Sequence, residues 1–472
     1  MPANFPSPPE SFIERVRTGL AQLRQGVPSV FDDFLFVRRL AHTEDAQRIG
    51  PARYGVMQAL ERLERQDATA AGILRYRFIE GKGIQEIVTI SHRSQASVHR
   101  DLRSAIDKLA EIFWLEEAAA QQKFERRQLH RLEPPTYDRL FGVDTIAETL
   151  FELLRSQDGP NLVMLAGEGG IGKTALADFL TRKLIGEHVF SGIGWVSIRP
   201  QVSLWDASPF FSAVSSELAI EQMFERLTEQ LLGSKYVPAP FDLSKALDRL
   251  EVFLQQSQHF VVLDNLESLE QGEALLTILK RFSPYTKFLL TSRQSLSTYP
   301  GVYQFRVPHI NADASLALVR HEAQKRNAQA LITARDEDLM PIYETVGGNP
   351  LALRLVVGQA SLHALSTVLD DIKMARGKSV AQLYEYLFRW AWNNLTESEQ
   401  LVLLALPLLP PEGGAFEQIV AITGIDADIV HDALEKLVGQ SLVEHRIGLE
   451  ESHYAIHGLT RTFVAEQAAK WR

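Results

Sequence analysis

The chain has 472 residues, 45% of them hydrophobic, and a formal net charge of −10, which at ~100–200 residues per domain makes room for three or four globular units. The acidic balance excludes a protein whose whole surface attracts nucleic acid or anionic membrane, although it leaves room for a local basic patch. With no cysteine in the chain, disulfides, thiolate zinc sites and cysteine nucleophiles are excluded, as fits a reducing compartment.

The N-terminus, MPANFPSPPE, has no basic region followed by an apolar run. Residues 1–132 read as a helical domain, with Leu20, Leu23, Leu35, Leu40, Leu60 and Leu63 spaced among charged residues and no strand pattern. Within it, about residues 73–110 carry a helix ending at Gly81, a short helix with Ile84, Ile87 and Val88, and a turn around Ser91. A third helix follows, whose Val98, Leu102, Ile106 and Leu109 form one apolar stripe. The segment resembles the helix-turn-helix of sigma factor region four and related bacterial regulators. Its opposite face offers Ser94, Gln95, Ser97, Arg100 and Arg103 to a DNA groove. Asp101 and Asp107 dilute the positive charge, so a helical bundle for protein contact stands beside the DNA reading.

Arg126 to Tyr137, basic and then carrying Pro134 and Pro135, reads as a hinge. A second domain, 133–310, alternates short apolar runs (162–166, 193–198, 260–263 and 288–290) with amphipathic helices, the pattern of a parallel sheet covered on both faces. The first run leads into Gly167-Glu-Gly169-Gly170-Ile171-Gly172-Lys173-Thr174, with the helix opening at Thr174 and continuing through Ala175. That order of strand, glycine loop and helix is what a P-loop requires. Glycines let successive amides turn onto an anion, and the helix adds its positive end. Lys173 supplies a point charge for β- and γ-phosphates, and the Thr174 hydroxyl suits magnesium.

The strand from His259 ends in Asp264, where a P-loop protein places the acid that orients the metal; a turn-capping Asp is the plainer alternative. The next ends in Thr291, Ser292 and Arg293, the last read as a γ-phosphate sensor or as a solvated loop arginine. Helical periodicity returns over 311–378. The last unit, 379–472, has helices and then candidate short strands at 441–445 and 453–456, the order of a winged helix. The longest apolar stretch, Leu401 to Pro410, is about half the ~20 residues of a membrane helix. A cytoplasmic protein with no membrane partner is expected, and no internal repeat is visible.

The three strands, together with Gly347-Gly348-Asn349-Pro350-Leu351-Ala352-Leu353, resemble the NB-ARC class of STAND ATPases over about residues 137 to 472. The resemblance implies an α/β P-loop NTPase with helices on both faces of its parallel sheet, joined to an all-α domain and a C-terminal winged helix. It makes Gly167 to Thr174 the Walker A loop, Asp264 the Walker B acid, Arg293 the sensor and Pro350 an adenine contact. Phe141, Gly142 and Val143 look like the entry loop against the base. Tyr454 to Leu459 is similar to the motif whose histidine, here His457, meets the β-phosphate of ADP. Gly458 stands where the family usually has Asp, so the clasp is weaker or His457 is a core histidine.

Asn265 stands where the family often carries a second acid and cannot serve as a general base, which implies slow hydrolysis; Glu267 is an acid nearby in sequence, whose direction the sequence does not give. The implied cofactors are ATP or ADP with Mg²⁺, and the implied mechanism is a switch held closed by ADP and opened by ATP exchange. Self-oligomerisation, duplex DNA at the N-terminal domain and a separate sensor protein are the implied partners. A defence or stress adaptor and an ordinary ATPase with sustained turnover are the rival readings.

Overall fold

The structure, a computed structural model, describes residues 7–27, 29–41, 43–198, 216–266, 272–293, 299–361, 363–373, 380–410, 413–447 and 452–470. The chain divides into two compact units, Met1–Arg127 and Gln128–Arg472.

Every described element of the first unit is helical. Its core is aromatic: the rings of Phe31 and Phe113 stack with centroids 4.9 Å apart, and Phe12 stacks on Phe34 at 5.2 Å. Buried Glu117 accepts the amides of Leu35 and Phe36 at 3.0 and 3.1 Å. A carboxylate there satisfies donors that the helix Leu35–Leu40 cannot pair internally. Helix α1 (Ile84–Ser91) begins where Glu86 accepts the Gly83 amide at 2.6 Å and stops at His92, whose φ of 52° is left-handed. Helix α2 (Gln95–Leu129) follows, burying Val98, Ile106 and Leu109, with Leu102 half-buried.

The unit boundary therefore falls at Arg127, inside α2, ahead of the expected position at 132. Nor is the following segment a free hinge. Gln128 Oε1 accepts the Ile193 amide at 3.0 Å and Arg131 donates to the Ile193 carbonyl at 2.5 Å. Both pair the open edge of a sheet, an edge that proteins cover when they can.

That sheet has five strands: β1 (Leu162–Ala166), β2 (Ile193–Ser197), β3 (His259–Asp264), β4 (Thr286–Ser292) and β5 (Tyr303–Arg306). They run parallel in the order β2-β3-β4-β1-β5. The four apolar runs expected from the sequence are β1 to β4. The fifth strand was not legible, because its residues Tyr303 to Arg306 lie half or fully exposed on an edge and carry no apolar run. On one face of the sheet Met164, Val261 and Phe288 pack against the helices Ser216–Leu232, Leu243–Leu254 and Gly272–Phe282. Val163 and Leu165, pointing the other way, are equally buried, and helix α3 (Lys173–Gly186) contacts β1 and β4.

After the sheet come α4 (Ala312–Lys325), the helix Asp336–Val346 and α5 (Pro350–Ala360). The C-terminal part contains the helix Phe416–Thr423, α6 (Ala427–Gly439), the antiparallel pair β6 (Glu444–Ile447) and β7 (Ser452–Ala455), and the helix Gly458–Lys470. One hydrophobic cluster runs through all of this, from Ile310 to Val464. The segments expected as separate domains, 311–378 and 379–472, thus share a core, and the expected boundary at 378 lies outside the described residues. Among the described residues no helix is long and apolar enough to cross a membrane.

The junction of sheet and helical region turns on one close backbone approach. The Ile310 amide donates to the Gly348 carbonyl at 3.0 Å, and a Cβ at Gly348 would sit 1.8 Å from the Ile310 oxygen. Gly348→Ala is therefore expected to destabilise the chain by about 1–3 kcal/mol, the usual range for overpacking. Chemical denaturation measures it, and an unchanged midpoint would contradict the contact.

Candidate functional site

A cavity of about 570 Å³ opens at the carboxyl ends of the strands, where ligands of open α/β sheets bind. Its floor is the loop after β1 and the first turn of α3. Gly170 and Gly172 hold φ of 72° and 100°, conformations that a side chain would strain. The loop can therefore curl back on itself and deliver the start of α3, whose first amides have no carbonyl partner within the helix.

Lys173, 7% exposed, donates to the carbonyls of Gly167 and Glu168, each at 2.9 Å. Two bonds to its own loop fold the ammonium over the loop. Thr174 Oγ1 donates to Asp264 Oδ1 at 2.7 Å, Thr291 Oγ1 to the same oxygen at 2.6 Å, and Ser197 Oγ to Oδ2 at 3.1 Å. Three hydroxyls thus fix one buried carboxylate at the ends of β2, β3 and β4. Thr174 and Asp264 offer a hydroxyl and a carboxylate side by side, an oxygen set that suits a hard divalent cation.

Asn265 is not aimed at this chemistry. It has φ of 68°, its amide donates to Thr291 Oγ1 at 2.9 Å and its side chain donates to the Ile198 carbonyl at 2.7 Å. Glu267 lies outside the described residues.

The remaining sequence-nominated residues close the walls. Ile171, Ala175, Arg293, Phe141, Val143, Pro350 and His457 line the cavity; Gly142 and Gly167 lie beside lining residues without lining it themselves. Gly142, at φ 68°, brings the entry segment against α4, where a Cβ would meet Ala314 at 2.7 Å. Phe141 packs on His321 with ring centroids 5.4 Å apart. Tyr137, four residues earlier, donates to Asp178 Oδ2 at 2.8 Å, and burial together with that carboxylate pushes its hydroxyl pKa up.

Asn349 is the residue whose role the sequence reasoning missed. Buried to 1% exposure, it accepts the Leu351 and Ala352 amides as the cap of α5 and donates through Nδ2 to the Gly169 carbonyl at 3.0 Å. The Leu351 amide also reaches the Gly170 carbonyl, at 3.3 Å. The helical region therefore grips the glycine loop by its backbone. An Asn immediately before Pro is an N-cap signal, but nothing in the pattern says that its other end reaches the loop.

From the C-terminal side, a Cβ on Gly169 would meet Leu459 Cδ1 at 3.1 Å and the Arg293 guanidinium carbon at 3.6 Å. His457 Nδ1 accepts the Leu459 amide at 3.2 Å, so the neutral ring carries its proton on Nε2. Burial pushes the His457 pKa down to about 4, with Arg293, Arg354 and Lys173 adding to the shift and Glu444 opposing it. At neutral pH the ring is an uncharged donor among cations.

The DNA-face candidates belong to the first unit. Ser94, Gln95, Arg100 and Arg103 are exposed; Ser97 is half-buried and donates to Asp101 Oδ2 at 3.4 Å, while Arg93 pairs with Asp101 at 2.6 Å.

Residues 143–329 match the NB-ARC domain, and this segment is an NB-ARC-type P-loop nucleotide-binding domain. The chain is 24% identical over 304 residues to the probable disease resistance RPP8-like protein 4 of Arabidopsis thaliana, covering 59% of this chain and 32% of that one. It is 26% identical over 246 residues to the disease resistance protein RPP8 of the same plant, covering 50% and 25%. The matched segment thus spans about a third or less of those relatives. Among solved structures, a STAND protein with a tetratricopeptide repeat sensor from Pyrococcus horikoshii aligns at TM-score 0.45 and 17% identity, over 71% of this chain and 44% of that one. The Aeropyrum pernix ORC2 protein aligns at 0.33 and 15%, over 73% and 98%.

The depressed His457 pKa has a measurable sign. Between about 4 and the ordinary value of 6.5 the unfolded chain binds a proton that the folded one refuses. The residue's contribution to stability is therefore lost as pH falls through that window and levels off below it. An NMR titration should show the ring neutral down to about pH 5 with a midpoint near 4; a midpoint at 6.5 would show that the ring does not sit in this environment.

Proposed function

We propose that this chain is a nucleotide-operated signalling switch of the STAND type, resting with ADP and released by exchange for ATP. The observation that carries the reading is a single cavity walled by three parts of the chain: Lys173 and Thr174 of the loop, Pro350 of α5 and His457 of the C-terminal turn. A ligand that touches all three ties them together, and its exchange changes what holds them.

The residues fit an adenine nucleotide. The volume falls in the ~300–1,000 Å³ range of small-molecule sites, and the left-handed glycines clear a path for a polyphosphate to the α3 amides. Gly169, Gly170, Ile171, Gly172 and Ala175 supply the cradle, which Gly167 leads into from β1, Lys173 a point charge, and Arg293 a guanidinium at the rim. Phe141, Val143 and Pro350 form the base end, with Gly142 setting the turn between the first two. Thr174 and Asp264 would hold Mg²⁺, which supplies charge neutralisation at the phosphates. His457, neutral, donates from Nε2 without adding to the positive field.

Commitment of the Asn265 side chain to Ile198 leaves no general base at that position, which supports a switch over a fast ATPase. Release would free the C-terminal part for self-association, with a separate sensor protein as a source of the stimulus. The curated relatives are named disease resistance proteins, and we carry their class to this chain as signalling in a defence or stress response.

A second reading of the output rests on the exposed Ser94, Gln95, Arg100 and Arg103 at the start of α2. Those positions support duplex DNA as the partner of the helix-turn-helix, with clustering raising the avidity of weak single units. Its test is affinity for duplex DNA across a salt series. The DNA reading predicts binding that weakens steeply with salt and is reduced by Arg100→Ala; no binding, or a flat response, removes it.

The switch itself is tested with fluorescent ADP. Lys173→Ala should abolish stable binding, because it removes the loop's ammonium charge. His457→Ala should keep binding but release ADP about tenfold faster, the equivalent of one lost hydrogen bond of about 1.4 kcal/mol. Unchanged binding in the first variant and an unchanged rate in the second would together reject the assignment.

A further inference from the structure

Residues 134–142 lead into the helix Asp144–Arg155 and belong to no helix or strand themselves. Among the described residues no backbone–backbone hydrogen bond holds them. None of them is buried, yet residues 136–141 all line the cavity. One wall of the site is therefore a bare strap, kept in place by side chains alone.

Both ends of this strap are fixed. Ahead of Pro134, Gln128 and Arg131 pair with Ile193, the Glu133 carbonyl accepts Arg182 Nη2 at 2.6 Å, and the Glu133 carboxylate pairs with Arg446 at 2.5 Å. At the far end Gly142 lies against α4, and the Val143 carbonyl accepts the Ala147 amide at 2.7 Å.

Between those ends two polar anchors reach different helices. Tyr137 donates to Asp178 Oδ2 on α3, an oxygen that Arg182 Nε also holds at 2.7 Å. Asp138 pairs with Lys325 and, at 3.5 Å, with His321, both on α4. The second anchor is weak, because its carboxylate is 62% and its ammonium 41% exposed and surface ion pairs add little. A segment with fixed ends, no backbone ladder and few buried contacts opens at lower cost than the core around it.

We propose that residues 134–142 are a gate over the cavity, beneath which nucleotide enters and leaves while the glycine loop, α5 and the C-terminal turn stay in place. The proposal rests on the nucleotide reading above and deepens it by setting an order. Exchange comes first, and the grip on the C-terminal turn then follows from which nucleotide is bound.

A gate has a kinetic signature. Weakening an anchor raises the open fraction of the strap with and without ligand alike, so association and release quicken together and the affinity holds. A residue that grips the ligand changes release and leaves association nearly alone. Asp178 separates the two cases, because it is not among the residues that line the cavity and reaches the ligand only through Tyr137 or through α3. Distortion of α3 would lower the affinity.

The test is stopped-flow association and release of fluorescent ADP with the full-length protein, stripped of nucleotide beforehand. In Asp178→Ala and in Tyr137→Phe both rates should rise about tenfold, the scale of one lost hydrogen bond, with Kd unchanged. Faster release at unaltered association, a loss of affinity, or unchanged rates would each overturn the proposal. If Asp178→Ala does not fold, Tyr137→Phe decides alone. The converse experiment uses the lack of native cysteine: Asp138→Cys and Lys325→Cys are bridged by a thiol reagent that reductant cleaves. Bridged protein should retain ADP loaded beforehand and release it on reduction, whereas release at the unbridged rate overturns the proposal. A wild type that binds no ADP removes the nucleotide reading itself, which is a distinct failure.

Discussion

Everything in the second unit is arranged around one constraint: a buried parallel strand must end, reverse through glycines and deliver the first turn of α3 to an open cavity. A loop that exposes its own backbone in this way has little side-chain packing to fix its shape. The structure supplies the missing restraint from elsewhere. Lys173 folds back on two loop carbonyls, Asn349 and Leu351 hold two more from α5, and Leu459 lies against Gly169. The cradle is thus shaped by the helical and C-terminal regions as much as by its own strand.

That sharing has an energetic consequence. One apolar cluster joins Ile310 to Val464, so the helical and C-terminal regions are held together by burial. The contact of the C-terminal turn with the loop is different, being small and made by Leu459 against Gly169. Burial on the order of 25 cal/mol per Å² makes the first junction durable, whereas the second is of a size that a bound anion can tip. A switch needs such an imbalance, with one junction kept and another in play.

The legible part of the sequence was the part in which local pattern and tertiary role coincide. Strands β1 to β4 are continuous apolar runs because both faces are covered, and the glycine loop is marked by its own backbone needs. What escaped was set by contacts between distant segments. β5 is an edge strand whose residues are half or fully exposed, so no apolar run marks it. α2 ends at Leu129, ahead of the prolines, where Gln128 and Arg131 pair the edge of β2. The Asn349 side chain reaches the loop across 180 residues of sequence, and Arg354 and Glu322 meet from two helices; no spacing rule reports either.

The central claim is that this cavity grips a nucleotide tightly enough to hold three regions in one arrangement. Its most direct test is to denature the freshly purified chain and identify what it releases by chromatography. The account predicts adenine nucleotide, mainly ADP, at close to one per chain. Protein that carries no nucleotide and takes up none from a saturating solution with Mg²⁺ would contradict it.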